Sequence, residues 1–429
     1  MNPAAALDAL LERAGGQQGI LLAYSGGLDS SVLLHVAVER LGAGAVEAIH
    51  VDHGLQPAAA DWVAHCRATC ARLGVALHVE RVDARPGPRE SPEAAARRAR
   101  RAAFLRLLPP GALLLTAQHR DDQVETLLLQ LLRGAGPAGL AGMPALAPFG
   151  AGRIGRPFLG LGREVLRAWA QRHGLRWVED PSNVDPAFGR GRLRRQLLPV
   201  LRRHWPAADK TLARAAELQA EAAALLAERA DEDLQAVGAE ARRLPLGPLR
   251  TLSAARRRNA LRRWLQHAGL RPPPAAVLRQ IEGMIAARGD AAPAVCWRGT
   301  ALRRHRDALY LVEDEPRPPA AAAPFDPARP LSLPGALVTV DAAALARAGL
   351  DPARLPPDLT LRLRRGGERL ETAAGHRSLK KLLQERGVPP WLRGRLPLLF
   401  AGEELIAVFG LDPPLVAARW RRGPTEPGA

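Results

Sequence analysis

Lysine, cysteine and aromatic side chains are all scarce in this sequence, and each scarcity narrows what the chain can be. The only lysines are Lys210, Lys380 and Lys381, and the only cysteines are Cys66, Cys70 and Cys296. Three thiols cannot build a disulfide framework, and without a CxxC pair they offer no zinc or iron–sulfur cluster. Aromatic residues make up 4% of the chain, so aliphatic side chains must fill its cores. No apolar run reaches the ~18 residues of a membrane-spanning helix, and the N-terminus lacks the basic-then-apolar pattern of a secretory signal. The expectation is a soluble, cytoplasmic protein with no membrane partner.

What is abundant is arginine. It supplies almost all of the positive charge behind a net +18 and an isoelectric point near 11.3. A GC-rich genome explains arginine in place of lysine, but it does not explain an excess of bases over acids. The planar guanidinium fork pairs with phosphate, so a polyanionic partner such as a nucleic acid is expected. The 429 residues suffice for about three domains at ~150 residues each.

Strand and helix signals alternate through the first ~200 residues. Apolar runs at Gly19–Ala23, Val46–Val51, Val75–Val82 and Ala112–Ala117 read as strands. Helical spacing appears at Ser30–Leu41, Asp61–Leu73, Pro92–Leu108 and Asp121–Arg133. This alternation predicts an α/β domain with a doubly wound parallel sheet over residues 1–205, whose ligands bind at the carboxyl ends of the strands. Residues 206–314 read as mainly helical, with helices at Lys210–Val237, Ser253–Ala268 and Ala275–Ala287. The Pro- and Ala-rich stretch 315–334 reads as a linker. Residues 335–429 read as a small α+β domain with one helix at Ser378–Arg386.

Three motifs fall at the expected carboxyl edge. Ser25-Gly26-Gly27-Leu28-Asp29-Ser30 lies between the first strand and its helix. Its glycines allow a tight turn and close backbone approach to an anion at the helix N-terminus, with Ser30 as the expected cap. An acid in an anion site makes sense if Asp29 shares a Mg²⁺ with phosphate oxygens. No Walker lysine is present, which sets the loop apart from kinases and GTPases. Val51-Asp52-His53-Gly54-Leu55 ends the second strand. Then comes Ala117-Gln118-His119-Arg120-Asp121-Asp122-Gln123-Val124-Glu125-Thr126, which puts Asp122 and Glu125 on one helix face. A lone acid at a helix start is an ordinary dipole partner, but here the apolar side of the helix must pack on the sheet, which leaves the acids facing the cleft. A glycine-rich stretch, Leu132 to Met143, follows.

The first motif resembles the PP-loop of the ATP pyrophosphatases (N-type), enzymes that cleave ATP between its α- and β-phosphates. Together, SGGLDS, VDHGL, HxDDQxET and LLRGxGxxGLxGM resemble the tRNA(Ile)-lysidine synthase family. Trp177 to Asn183, the arginines Arg190, Arg192 and Arg194 before Leu198-Pro199, and Glu93, Arg97 and Arg100 fit the same pattern. So do Leu363 to Arg369, Leu379 to Leu383 and Val388 to Leu398. Two departures stand out: Gly191 replaces the family's asparagine, and Arg101 its tyrosine.

The resemblance implies ATP, Mg²⁺, free L-lysine and the CAU-anticodon isoleucine tRNA as cofactors and partners; a homodimer is left open. It implies that Ser25, Gly26, Gly27, Leu28, Asp29, Ser30, His53 and His119 bind ATP, with Asp29 on Mg²⁺. Asp29, Asp122, Glu125, Arg97, Arg190 and Arg194 are the implied catalytic set. Arg133, Lys380, Lys381, Arg393 and Arg395 are the implied tRNA contacts. Three rivals are a tRNA thiolase, which would need reactive cysteines, a tRNA-binding protein with a dead nucleotide fold, and a small-molecule ligase, which needs no such basic surface.

Overall fold

The computed structural model describes all residues except 1, 17–18, 55–58, 89, 180–188, 272, 287–292, 298, 314–320 and 421–429. It divides into two compact units, residues 1–229 and 230–429.

In the first unit, aliphatic runs form β1 (Ile20–Ala23), β2 (Val46–Asp52), β3 (Ala76–Arg81) and β4 (Leu113–Leu115), followed by β5 (Leu146–Phe149) and β6 (Gly152–Gly155). The helices that position the site are α1 (Pro3–Ala14), α2 (Leu28–Leu41), α3 (Ala59–Leu73), α4 (Pro92–Leu107), α5 (Arg120–Leu131) and α6 (Arg163–Arg172). The strands lie in the order β3-β2-β1-β4-β6-β5, all parallel except β5. The predicted doubly wound parallel sheet is therefore present.

Side chains alternate across this sheet. Leu22, Leu113 and Leu115 join a core with residues of α1, α2, α3 and α6, while Leu21 and Leu114 join a second core with Ala103 and Phe104 of α4. Burial on both faces is why these strands read as unbroken aliphatic runs. Local signals set the helix starts. The Ser91 side chain accepts the Ala94 N–H at 3.2 Å, and Pro92 needs no partner in the first turn of α4. Because β1 is flanked by β2 on one side and β4 on the other, the order reverses between β1 and β4. Their carboxyl ends frame the crevice in which such sheets bind ligands.

The second unit has a four-stranded antiparallel sheet that the mainly helical reading of 206–314 did not include. It consists of β7 (Arg243–Pro245), β8 (Ala294–Trp297), β9 (Thr300–His305) and β10 (Ala308–Glu313) in the order β7-β10-β9-β8. These strands are only three to six residues long and carry arginines such as Arg243, Arg303 and Arg304, so their alternation is too brief to read. They pack on helices Ala254–His267 and Ala275–Ala286 around the buried Trp264.

Next come β11 (Ala322–Pro324), β12 (Leu359–Leu363), β13 (Arg369–Thr372), β14 (Gly375–Ser378), β15 (Pro397–Ala401), β16 (Glu404–Val408) and β17 (Leu415–Val416). They form a five-stranded sheet, β11-β12-β15-β16-β17, beside the β13–β14 hairpin. The described part of the expected 315–334 linker is not a free tether. β11 is the edge strand, and Phe325 and Leu333 are buried in the core.

Leu114 lies fully buried at the centre of β4. Leu114→Ala is expected to cost about 2–5 kcal/mol, read as a lowered thermal midpoint of the first unit. An unchanged midpoint would mean that this core does not hold the sheet.

Candidate active site

The PP-loop leaves β1 under tight steric limits. Gly26 has φ +81°, and a Cβ there would stand 3.0 Å from Cys66 Sγ and 3.2 Å from Val178 Cγ2. Val178 N–H donates to Gly26 O at 2.9 Å, which lays the segment after Trp177 against the loop. Residues 180–183 of that motif, like Leu55, lie outside the described residues. The expected cap is corrected: α2 begins at Leu28, two residues early, with Gly27 as N-cap and no side-chain cap. Ser30 is already inside the first turn. Its hydroxyl donates back to Gly27 O at 3.0 Å and lies 3.0 Å from Ser25 Oγ.

At the end of β4, α5 presents its acids to the same edge. His119 is buried among three carboxylates, with Nε2 3.6 Å from Asp29 Oδ2 and 3.5 Å from Asp122 Oδ2, and Nδ1 3.6 Å from Asp121 Oδ1. These are ion-pair distances, and Nδ1 makes no hydrogen bond among the described residues. Burial alone would push the ring's pKa down, but Asp121, Asp29 and Asp122 outweigh it and hold it up at about 10. His119 N–H donates to Asp122 Oδ2 at 3.1 Å, closing the helix start. Gln123 grips the glycine-rich stretch beyond, accepting Met143 N–H at 2.6 Å and donating to Met143 O at 2.8 Å.

Arginines from far along the chain complete the edge. A helical segment covers residues 189–204, with a π-helical turn at Leu193–Leu197. Within that turn, Arg194 clasps the buried Glu125. Its Nε donates to Oε1 and its Nη2 to Oε2 at 3.0 Å, and Nη2 also reaches Asp122 Oδ1 at 3.2 Å. Burial pushes the Glu125 carboxyl up against the pull of Arg194. Arg190 lies 3.6 Å from Glu93, which also pairs with Arg97 at 3.3 Å. Asp29, His119, Asp122, Glu125 and Arg194 thus come together, with Arg97 and Arg190 joined through Glu93.

Sequence reasoning missed Arg163 and Arg202. Arg202 donates to Asp121 Oδ2 at 2.8 Å and also binds Asp209 at 2.8 Å. Arg163 lies 3.7 Å from Asp29 Oδ1. In a chain full of arginine, neither carried a motif signal. Arg101, which replaces the expected tyrosine, keeps a planar contact, 4.4 Å over the Phe149 ring.

Other sequence-predicted residues do not join the cluster in this structure. His53 is half-buried with Nδ1 unbonded among the described residues, its pKa lowered to about 4 by burial and by Arg100. Arg133, Lys380 and Lys381 are exposed. Arg395 is half-buried and donates to Gly335 O at 3.1 Å. Arg393 is a correction: it is buried, and its Nε donates to Val388 O at 2.8 Å. It caps a backbone carbonyl and is not a surface cation for RNA. Cys66 and Cys70 are buried, and burial pushes their thiols up to about 12 and about 11, so neither is a ready nucleophile.

Family models match three stretches: the PP-loop domain over residues 2–201, the TilS substrate binding domain over 244–310, and the TilS substrate C-terminal domain over 359–427. Proteins named tRNA(Ile)-lysidine synthase are similar along nearly the whole chain. That of Pseudomonas aeruginosa is 48% identical, covering 92% of this chain and 91% of its own. That of Alkalilimnicola ehrlichii is 46% identical, covering 92% and 90%. That of Methylococcus capsulatus is 45% identical, covering 91% and 90%.

The raised pKa of His119 gives a pH prediction. A cation whose folded pKa exceeds its unfolded value of ~6.5 contributes its full stability below that pH and loses it as pH rises through about 10. The thermal midpoint of the first unit should fall between pH 7 and pH 10, and His119→Gln should flatten that fall. A variant with the parent's slope would show that the ring is not the charged group.

Proposed function

This chain belongs to the tRNA(Ile)-lysidine synthase family, and from that premise we propose that it ligates free L-lysine to the wobble cytidine of the CAU-anticodon isoleucine tRNA. The cytosine O2 attacks the α-phosphorus of ATP and pyrophosphate leaves. The lysine ε-amine then attacks carbon 2 of the adenylated base, AMP departs with the oxygen, and the nitrogen loses a proton. The observation that carries the reading is one edge holding an anion-binding loop beside buried carboxylates, as a reaction between a triphosphate and a cationic amine requires.

In this reading the loop from Ser25 to Ser30, with the N-terminus of α2, holds the pyrophosphate end of ATP. Asp29 fits a Mg²⁺ carried in on those phosphates, because its Oδ1 is buried and accepts no hydrogen bond among the described residues. Among those residues no three acidic, histidine or cysteine side chains converge on a ready metal site, so phosphate oxygens and water would complete its shell. The ion would neutralise charge on the phosphates.

Asp122 and Glu125 receive the lysine ammonium. Glu125, whose carboxyl is pushed up by burial, takes the proton that the amine must lose before it attacks. Arg194 balances these acids in the free chain and is released toward phosphate as the amine arrives, while Arg97 and Arg190 offset phosphate charge. Arg133, Lys380, Lys381 and Arg395 are the candidate tRNA contacts, through which affinity should fall steeply with salt. The same reading admits a homodimer.

The test is incubation with ATP, Mg²⁺, radiolabelled lysine and unmodified tRNA. Label should enter the isoleucine tRNA and not the CAU-anticodon methionine tRNA, with AMP released. No label, but AMP formed when a sulfur donor replaces lysine, would favour thiolation instead. For the acids, Glu125→Ala should weaken lysine use more than ATP–pyrophosphate exchange. Exchange lost with lysine affinity intact would sink that assignment.

A further inference from the structure

The buried Oδ1 of Asp29 accepts no hydrogen bond among the described residues, yet a cation stands near it. The Arg163 Nε lies 3.7 Å away, too far for a hydrogen bond, on a side chain that is 49% exposed. The backbone at this point is tied to the acid cluster. Arg163 N–H donates to Asp121 Oδ1 at 3.3 Å. Over the preceding Gly162 lie the ends of two side chains, Glu164 Oε1 and Arg120 Nη2, 2.1 Å and 2.3 Å from where a Cβ would stand. Those two side chains are themselves ion-paired at 3.1 Å.

The position also runs against local preference. Arg163 is the first residue of α6, where the positive end of the helix dipole disfavours a cation. A backbone tied to the acid cluster, carrying a loosely engaged guanidinium beside an anion-binding loop, suits recognition of phosphate, for which the planar fork is made.

We propose that Arg163 is a phosphate-binding residue of the nucleotide site. In the free chain it lies beside Asp29. When ATP binds, its donors pass to the pyrophosphate end of the nucleotide, leaving Asp29 to the cation that accompanies it. This rests on reading the PP-loop as the ATP site.

Calorimetric binding of Mg·ATP to the full chain, without tRNA or lysine, tests it apart from the ligation. Arg163→Met should raise the Kd about 10- to 100-fold, the usual loss for a hydrogen bond between charged groups, and Arg163→Lys should fall between. Mn²⁺ alone, followed by water-proton relaxation, should bind Arg163→Met at least about threefold more tightly, since a competing positive charge has gone. A merely structural arginine would not move the two ligands in opposite directions. Mg·ATP binding within about twofold of the parent, or Mn²⁺ binding unchanged or weakened, overturns the proposal. A parent chain that binds no Mg·ATP overturns the nucleotide-site reading with it; failure of lysine transfer while ATP binds as expected overturns only the ligation.

Discussion

Asp29, Asp121, Asp122 and Glu125 converge on one sheet edge where water is largely excluded, and four like charges cannot share such a place without cations. The fold supplies these from widely separated parts of the sequence. His119 comes from the same helix start, Arg163 from α6, and Arg194 and Arg202 from the 189–204 segment. Removing one partner from a buried pair leaves an uncompensated charge, which costs more than the pair itself contributes. The charge balance of the site is therefore also what holds that segment against α5, with a small apolar patch of Val124, Leu128, Leu193 and Leu198 beneath it.

A site balanced in this way is prepared for exchange. His119, Arg163, Arg194 and Arg202 each have a carboxylate within ion-pair distance, and Asp29, Asp121, Asp122 and Glu125 each have one of these cations. In the proposed reaction the amine can take over the carboxylates and the phosphate oxygens the cations, so each group at the edge exchanges an internal partner for one of the substrates. Arg194 is the clearest case. It neutralises Glu125 from within a π-helical turn, a local irregularity found mostly at functional positions. The wider turn sets the side chain at the edge without demanding that the whole segment keep one register.

Where local chemistry decides, the sequence could be read. Leucine runs of strand length, the glycines of the PP-loop and the acids before an apolar helix each carry their own explanation, and the sheet formed from them. The start of α2 was misread because Ser30 looks like a cap. Gly27 takes that place instead, and the serine hydroxyl turns inward. Arg163 and Arg202 were illegible for a different reason: their partners lie far away in sequence, and one more arginine in this chain is no signal. Arg393 was misjudged by the opposite route. Its Arg-Gly-Arg context reads as a basic surface, but the guanidinium is spent on a backbone carbonyl.

That last case bears on what the net charge means. Arg256 and Arg263 pair with Asp233 and Asp231, and Arg304 donates to Met284 O inside the second unit. Arginine content is thus a poor count of RNA contacts. The net charge is a better guide, because each internal ion pair removes one charge of either sign and leaves the excess of +18 untouched. Only a guanidinium buried on a carbonyl, like Arg393, hides a positive charge without cancelling a negative one, and such burial is expensive enough to be uncommon. Most of the excess must therefore face solvent. A polyanion is the partner that can use it, and the part of its affinity that comes from released counterions belongs to that exposed remainder alone.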